Sequence, residues 1–135
     1  MPNRPFVAGG ASAALVTTSY SAAAVLTLTE GTGLDPVPDE AVLDTLELRF
    51  ASAAPGSVTC KITRDAAGDQ LLAGPSTSVL EVGVTTATAK CAVFELDQLD
   101  YKRGAEGVAG KLYVHVLVDA GSTLVCTGRL TGRQL

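Results

Sequence analysis

The sequence predicts an all-β fold: an antiparallel β-sandwich, jelly-roll-like, with an extended N-terminal arm. Three observations carry that prediction. Apolar and polar residues alternate with period two in several short runs, the signature of half-buried strands. Gly, Pro and Asp clusters punctuate those runs, and no run has the length and period of a helix. Hydrophobic residues make up 47% of the 135 residues but aromatics only 4%, with no Trp, so the core is built from Val, Leu and Ala.

The first segment, MPNRPFVAGGASAALVTTS, holds Pro2, Pro5, Gly9 and Gly10 and cannot form a core of its own. Residues 1–19 are therefore read as the arm and 20–135 as the sandwich domain. The arm has two readings, along a neighbouring subunit or on its own domain. Residues 23–30, AAVLTLTE, form a strand that stops at Gly31-Thr32-Gly33. LDPVPDE follows as a loop or edge, because Pro36 and Pro38 cannot donate to a ladder. In LDTLELRFA (43–51) Leu46, Leu48 and Phe50 point one way and Thr45, Glu47 and Arg49 the other. Ala54-Pro55-Gly56 turns the chain into VTCKITR (58–64), with Val58, Cys60 and Ile62 inward and Thr59, Lys61 and Thr63 toward water.

DAAGD (65–69) is a turn. Residues 70–73 form a short strand ended by Gly74-Pro75, and the Val- and Thr-rich stretch 78–88 another, with Gly83 marking a bulge. CAVFELD (91–97) is a strand and 99–110 a polar, Gly-rich loop with the charged tip Lys102-Arg103. KLYVHVLVD (111–119) and TLVCTGRLT (123–131) read as a hairpin across Asp119-Ala120-Gly121-Ser122. The first of these carries apolar residues on both faces, so it sits centrally or in an interface.

Charge is uneven. Residues 1–48 carry six acids against Arg4 alone, whereas residues 49–135 carry nine Lys and Arg against eight acids. The acidic part reads as a solvated loop or as a surface docking on basic groups, in the chain or on a partner. Glu95, Asp97 and Asp100 read as a local salt-bridged cluster with Lys102 and Arg103. Without a basic cluster interleaved with aromatics, no nucleic-acid partner is expected. No stretch reaches the roughly 18 apolar residues of a membrane-spanning helix, and Ser12, Thr17, Thr18, Ser19 and Tyr20 break up any signal-peptide core, so no membrane partner is expected.

Chemistry-bearing residues are sparse. Cys60, Cys91 and Cys126 are odd in number, widely spaced and set in apolar strands, so they read as buried thiols without a zinc ligand set. His115 is the sole imidazole. Asp119 on the same face lies about 13 Å away along an extended strand, too far for contact, so His115 reads as a surface or interface residue. Asp35, Asp39 and Glu40 lack the spacing of a calcium loop. Neither a cofactor nor an enzymatic activity is expected.

The segments LDTLELRFASAAPGSVTCKITRD and DYKRGAEGVAGKLYVHVLVDAG resemble small virion proteins of tailed bacteriophages over residues 43–131. That resemblance implies a sandwich part of the particle, made in the host bacterial cytoplasm and located in the virion. It implies a capsid decoration (cement) protein that binds the major capsid protein or other virion proteins, as a homotrimer. The rival reading is a glycan- or receptor-binding module, or an adaptor, of a tail, fibre or baseplate. The resemblance brings no catalytic residues. The residues expected to meet a partner are Pro2, Arg4, Phe6 and Val7 of the arm, Tyr20 just after it, and Tyr101, Lys102 and Arg103 of the 99–110 loop.

Overall fold

Alternating Leu, Val and Thr residues build two antiparallel sheets packed face to face. A computed structural model describes residues 4–11, 25–29, 35–50, 57–67, 70–79, 81–82, 90–105, 107–118 and 126–135. The strands are β1 (Arg4–Ala11), β2 (Val25–Leu28), β3 (Glu40–Phe50), β4 (Ser57–Thr63), β5 (Leu71–Val79), β6 (Glu81–Val82), β7 (Lys90–Lys102), β8 (Leu112–Val118) and β9 (Cys126–Gln134). One sheet has the order β1-β9-β3-β7-β6 and the other β2-β8-β4-β5. The expected antiparallel sandwich is thus the observed fold. Leu46, Leu48 and Leu130 from the first sheet meet Leu26, Leu28, Ile62, Val114 and Val116 from the second, all buried. Gly128 makes room between them: a Cβ there would lie 2.9 Å from Leu26 Cδ2.

The segment expected as an arm is extended, but residues 4–11 pair with β9 of the same chain, from Arg4 opposite Gln134 to Ala11 opposite Thr127. For these residues the reading that packs the segment on its own domain holds. Alternate residues Phe6 and Ala8 are buried, which gives this edge strand its own share of the core. The boundary at residue 19 lies outside the described residues.

The predicted terminal hairpin is not one. β8 pairs with β2 and β4, while β9 pairs with β1 and β3 in the other sheet. The connection 119–125 lies outside the described residues. Alternation and a Gly-bearing turn look the same whether the chain doubles back within a sheet or crosses to its partner, and only long-range pairing separates the two. β8 does take the central place that its apolar faces predicted. β5 continues through Gly74-Pro75 with a shift of register between Cys60 and Ile62 of its partner β4, a place an edge strand allows for proline. Of the strand expected over 78–88, residues 80 and 83–88 lie outside the described residues.

β7 runs on to Lys102 through residues assigned to a loop. The cause is a paired irregularity. Asp44 bulges from β3, and β7 answers with residues 96–98, so Leu43 faces Leu99 while Thr45 faces Glu95. Asp97 (φ 51°) and Gln98 (φ 56°) take left-handed conformations there. The bulge flips the phase of both strands, so Ala41 and Leu43 are buried together with Leu46 and Leu48.

Candidate interaction surfaces

Prolines and acids of the segment 35–39 make a strap across one end of the sandwich. Pro36 and Pro38 have no N–H, so the intervening residues carry the hydrogen bonds. The Asp35 amide donates to the Val7 carbonyl (2.7 Å), the Val37 amide to the Gly110 carbonyl (3.1 Å), and the Arg103 amide to the Asp39 carbonyl (2.8 Å). Val37 is buried between them. The strap thereby joins β1, the start of β8 and the end of β7. Two shallow grooves flank it. One, of about 200 Å³, is lined by Arg4, Phe6, Asp35, the strap prolines and Gln134. The other, of about 300 Å³, is lined by Asp39, Glu40, Lys102, Arg103 and Gly104.

The strap and β3 together answer the charge asymmetry. Asp39 pairs with Arg103 (3.5 Å), Glu40 with Lys102 (3.7 Å), Asp44 with Arg133 (3.7 Å) and Glu47 with Arg49 (2.8 Å). Four of the six acids of residues 1–48 thus pair with cations of the same chain, Asp39 in the strap and Glu40, Asp44 and Glu47 in β3. These pairs are exposed, and each contributes at most about 1 kcal/mol. Lys102 and Arg103 are therefore matched to the strap and β3, not to Glu95, Asp97 and Asp100 as the sequence suggested.

Of the eight expected contact residues, Pro2 and Tyr20 lie outside the described residues. Arg4 and Lys102 are exposed, Val7 and Arg103 half-buried. Phe6 (4% exposed) and Tyr101 (3%) belong to the core, so neither offers its ring to a partner. Their positions on alternating strands turn them inward: Phe6 stacks toward Gly132, and Tyr101 lies beneath Arg64. Arg64 follows β4, yet its Nε donates to the Lys102 carbonyl at 2.8 Å and its guanidinium carbon lies 5.9 Å from the Tyr101 ring centroid. One side chain thus ties the two sheets together by a hydrogen bond and a cation–π contact. Burial pushes the Tyr101 phenol above its usual value, against the pull of Arg64.

Residues singled out for chemistry are embedded. Cys60 and Cys126 are free thiols in the core; burial pushes both up to about 12, with Cys60 adding to the effect on Cys126. A thiol so held is not a nucleophile at neutral pH. The side chain of Cys91 falls outside the described set. His115 corrects the sequence reading: it is 5% exposed, not a surface residue. Thr63, expected to face water, is buried beside it. The Thr63 hydroxyl donates to the Asp65 carbonyl (2.6 Å), which leaves its oxygen to accept from His115 Nε2–H at 2.8 Å. Burial first, and Lys61 second, hold His115 below its ordinary pKa, against the raising effect of Asp65, so the ring is neutral at pH 7. Among the described residues no group of three His, Cys, Asp or Glu is placed to hold a metal ion.

The β1 edge of the five-stranded sheet is closed by residues far apart in the sequence. On β1 the residues whose main chain points away from β9 are Pro5, Val7 and Gly9. Pro5 has no N–H. The Val7 amide reaches Asp35 Oδ2 (3.4 Å), and its carbonyl accepts from the Asp35 amide. Gly9 exchanges two hydrogen bonds with Thr29 (3.1 and 3.0 Å), which also links the two sheets. Gly10 permits this approach, because a Cβ there would fall on the Thr27 carbonyl. The signal for this closure was the Gly9-Gly10 pair.

No protein-family model matches the chain, and no curated protein matches it. Solved structures share its outline at low identity. FlhE is 10% identical with a TM-score of 0.46, covering 99% of this chain and 98% of its own. The tomato aspermy virus structure is 10% identical, TM-score 0.47, covering 97% and 78%. The capsid of Helicobacter pylori bacteriophage KHP30 is 11% identical, TM-score 0.42, covering 98% and 90%. A carbohydrate-binding module of a Cellvibrio mixtus lichenase, solved with cellotriose, is 14% identical, TM-score 0.41, covering 79% and 70%. At these values the likenesses identify no family, and the sandwich rests on the strand pairing described above.

Proposed function

We propose that this chain is a non-enzymatic structural protein of a tailed-phage virion, and specifically a capsid decoration protein that binds the major capsid lattice as a homotrimer. The observation that carries the reading is where the phage-like segments fall. LELRF is the interior strand β3 of one sheet and LYVHV the interior strand β8 of the other. The resemblance thus spans the framework of both sheets. Neutral, buried His115 and the two protonated core thiols fit a part whose work is packing rather than turnover. Tyr101 and Tyr113 are both buried, which removes them as stacking platforms for a sugar and weighs against the glycan-binding alternative. Exposed Arg4 and Lys102, beside the strap, are side chains left for a capsid contact.

Particles from the encoding phage, prepared with and without this gene, test the reading. The expected result is a regular array of the protein on the capsid surface and loss of the head's heat resistance in its absence. Recovery of the protein only with tails, or only outside particles, would overturn it.

A further inference from the structure

The ladder also fixes which groups of β7 face sideways. Even-numbered β1 residues bond β9, so odd-numbered β9 residues bond β3, and on β7 it is Ala92, Phe94, Leu99 and Tyr101 that bond β3. The main-chain groups of Val93, Glu95 and Asp100 therefore point out of the sheet. β6 fills the neighbouring strand position only opposite Lys90 and Cys91, and the Arg64 bond to the Lys102 carbonyl closes the far end. Between them β5 packs alongside β7, yet among the described residues no main-chain hydrogen bond reaches Val93, Glu95 or Asp100 from outside the β3 ladder.

Charge says what fits this edge. The acids of β3 and Asp39 each have a cation, but Glu95, Asp97 and Asp100 are exposed and have no ion-pair partner among the described residues. A second copy is a poor occupant: pairing β7 with β7 brings like charges together, and β1 has its outward main chain already bonded at Val7 and Gly9 and lacks an N–H at Pro5. We propose that the β7 edge from Val93 to Asp100 is a docking site for an extended, lysine- or arginine-bearing segment of a partner protein, which adds to the sheet as a strand. Its main chain pairs with Val93 and Glu95, and its basic side chains meet Glu95, Asp97 and Asp100. The left-handed residues Asp97 and Gln98 end the main-chain pairing and leave recognition beyond them to charge. This site does not depend on the virion reading, because it is defined on the isolated chain.

The test uses the full chain and two fluorescent peptides, one alternating Lys and Val, the other Glu and Val. The Lys peptide should bind and the Glu peptide should not. Glu95→Gln/Asp97→Asn/Asp100→Asn should weaken binding roughly tenfold. Val93→Pro, which removes an outward N–H that bonds nothing in the sheet, should weaken it as well while the charges stay. Hydrogen exchange on the unmodified chain should show the Val93 and Glu95 amides gaining protection with the Lys peptide. Equal binding of the two peptides, or binding that protects other strands and leaves Val93 and Glu95 unchanged, would overturn the proposal.

Discussion

At one edge of the five-stranded sheet Pro5 lacks an N–H, Asp35 meets both main-chain groups of Val7, and Thr29 meets both of Gly9. At the other edge Val93, Glu95 and Asp100 point outward beside three exposed acids and a bulge. The first edge is finished by hydrogen bonds, which exclude every added strand alike. The second is guarded by charge, which repels copies of itself and admits a basic partner. An unprotected edge is an aggregation hazard, and these are two different ways of managing it.

Opening the closed edge should have the largest effect. Gly10→Val places a side chain on the Thr27 main chain and forces β1 away from β2. A loss of about 3 kcal/mol is expected in chemical denaturation, the upper part of the range for overpacking. Asp35→Ala removes only the carboxylate that meets the Val7 amide, and about 1 kcal/mol should go with it, read in the same assay. Exchange of the Val7 amide should quicken in that variant while β8 is unaffected.

Acid tests whether the contrast survives a disturbance remote from both edges. The folded-state pKa of His115 lies below its unfolded value near 6.5. As pH falls through that value the unfolded chain takes up a proton that the folded chain does not, so stability declines from pH 7 toward 5. His115→Gln should flatten that part of the pH profile of thermal unfolding. The smallest effect belongs to the open edge: Gln98→Gly relieves a left-handed residue at φ 56° and should stabilise the fold by about 0.5 kcal/mol. A destabilisation instead would mean that the Gln98 side chain contributes to the bulge.

Local periodicity made most of the strands legible. Leu46, Leu48 and Phe50, Cys60 and Ile62, and Leu112, Val114 and Val116 are buried as their alternation predicted. What escaped depends on residues far apart in the chain. β8 and β9 alternate as a hairpin does, yet their ladders run to β4 and β3. Tyr101 looked like part of a polar loop because Asp97 and Gln98 shift the phase of β7, and neither is the glycine that announces such a bend. Asp35 meets Val7 across 28 residues, so closure of the β1 edge has no local signal beyond the two glycines. The expected contact residues divided for the same reason: alternation buried Phe6 and Tyr101 and left Arg4 and Lys102 outside.

Amide hydrogen exchange on the free, full-length chain tests the asymmetry of the two edges most directly. Val7 and Gly9 should be protected nearly as well as the interior strands, and Val93, Glu95 and Asp100 should exchange quickly. Rapid exchange at Val7 and Gly9, or protection at Val93 and Glu95 without any partner, would contradict it.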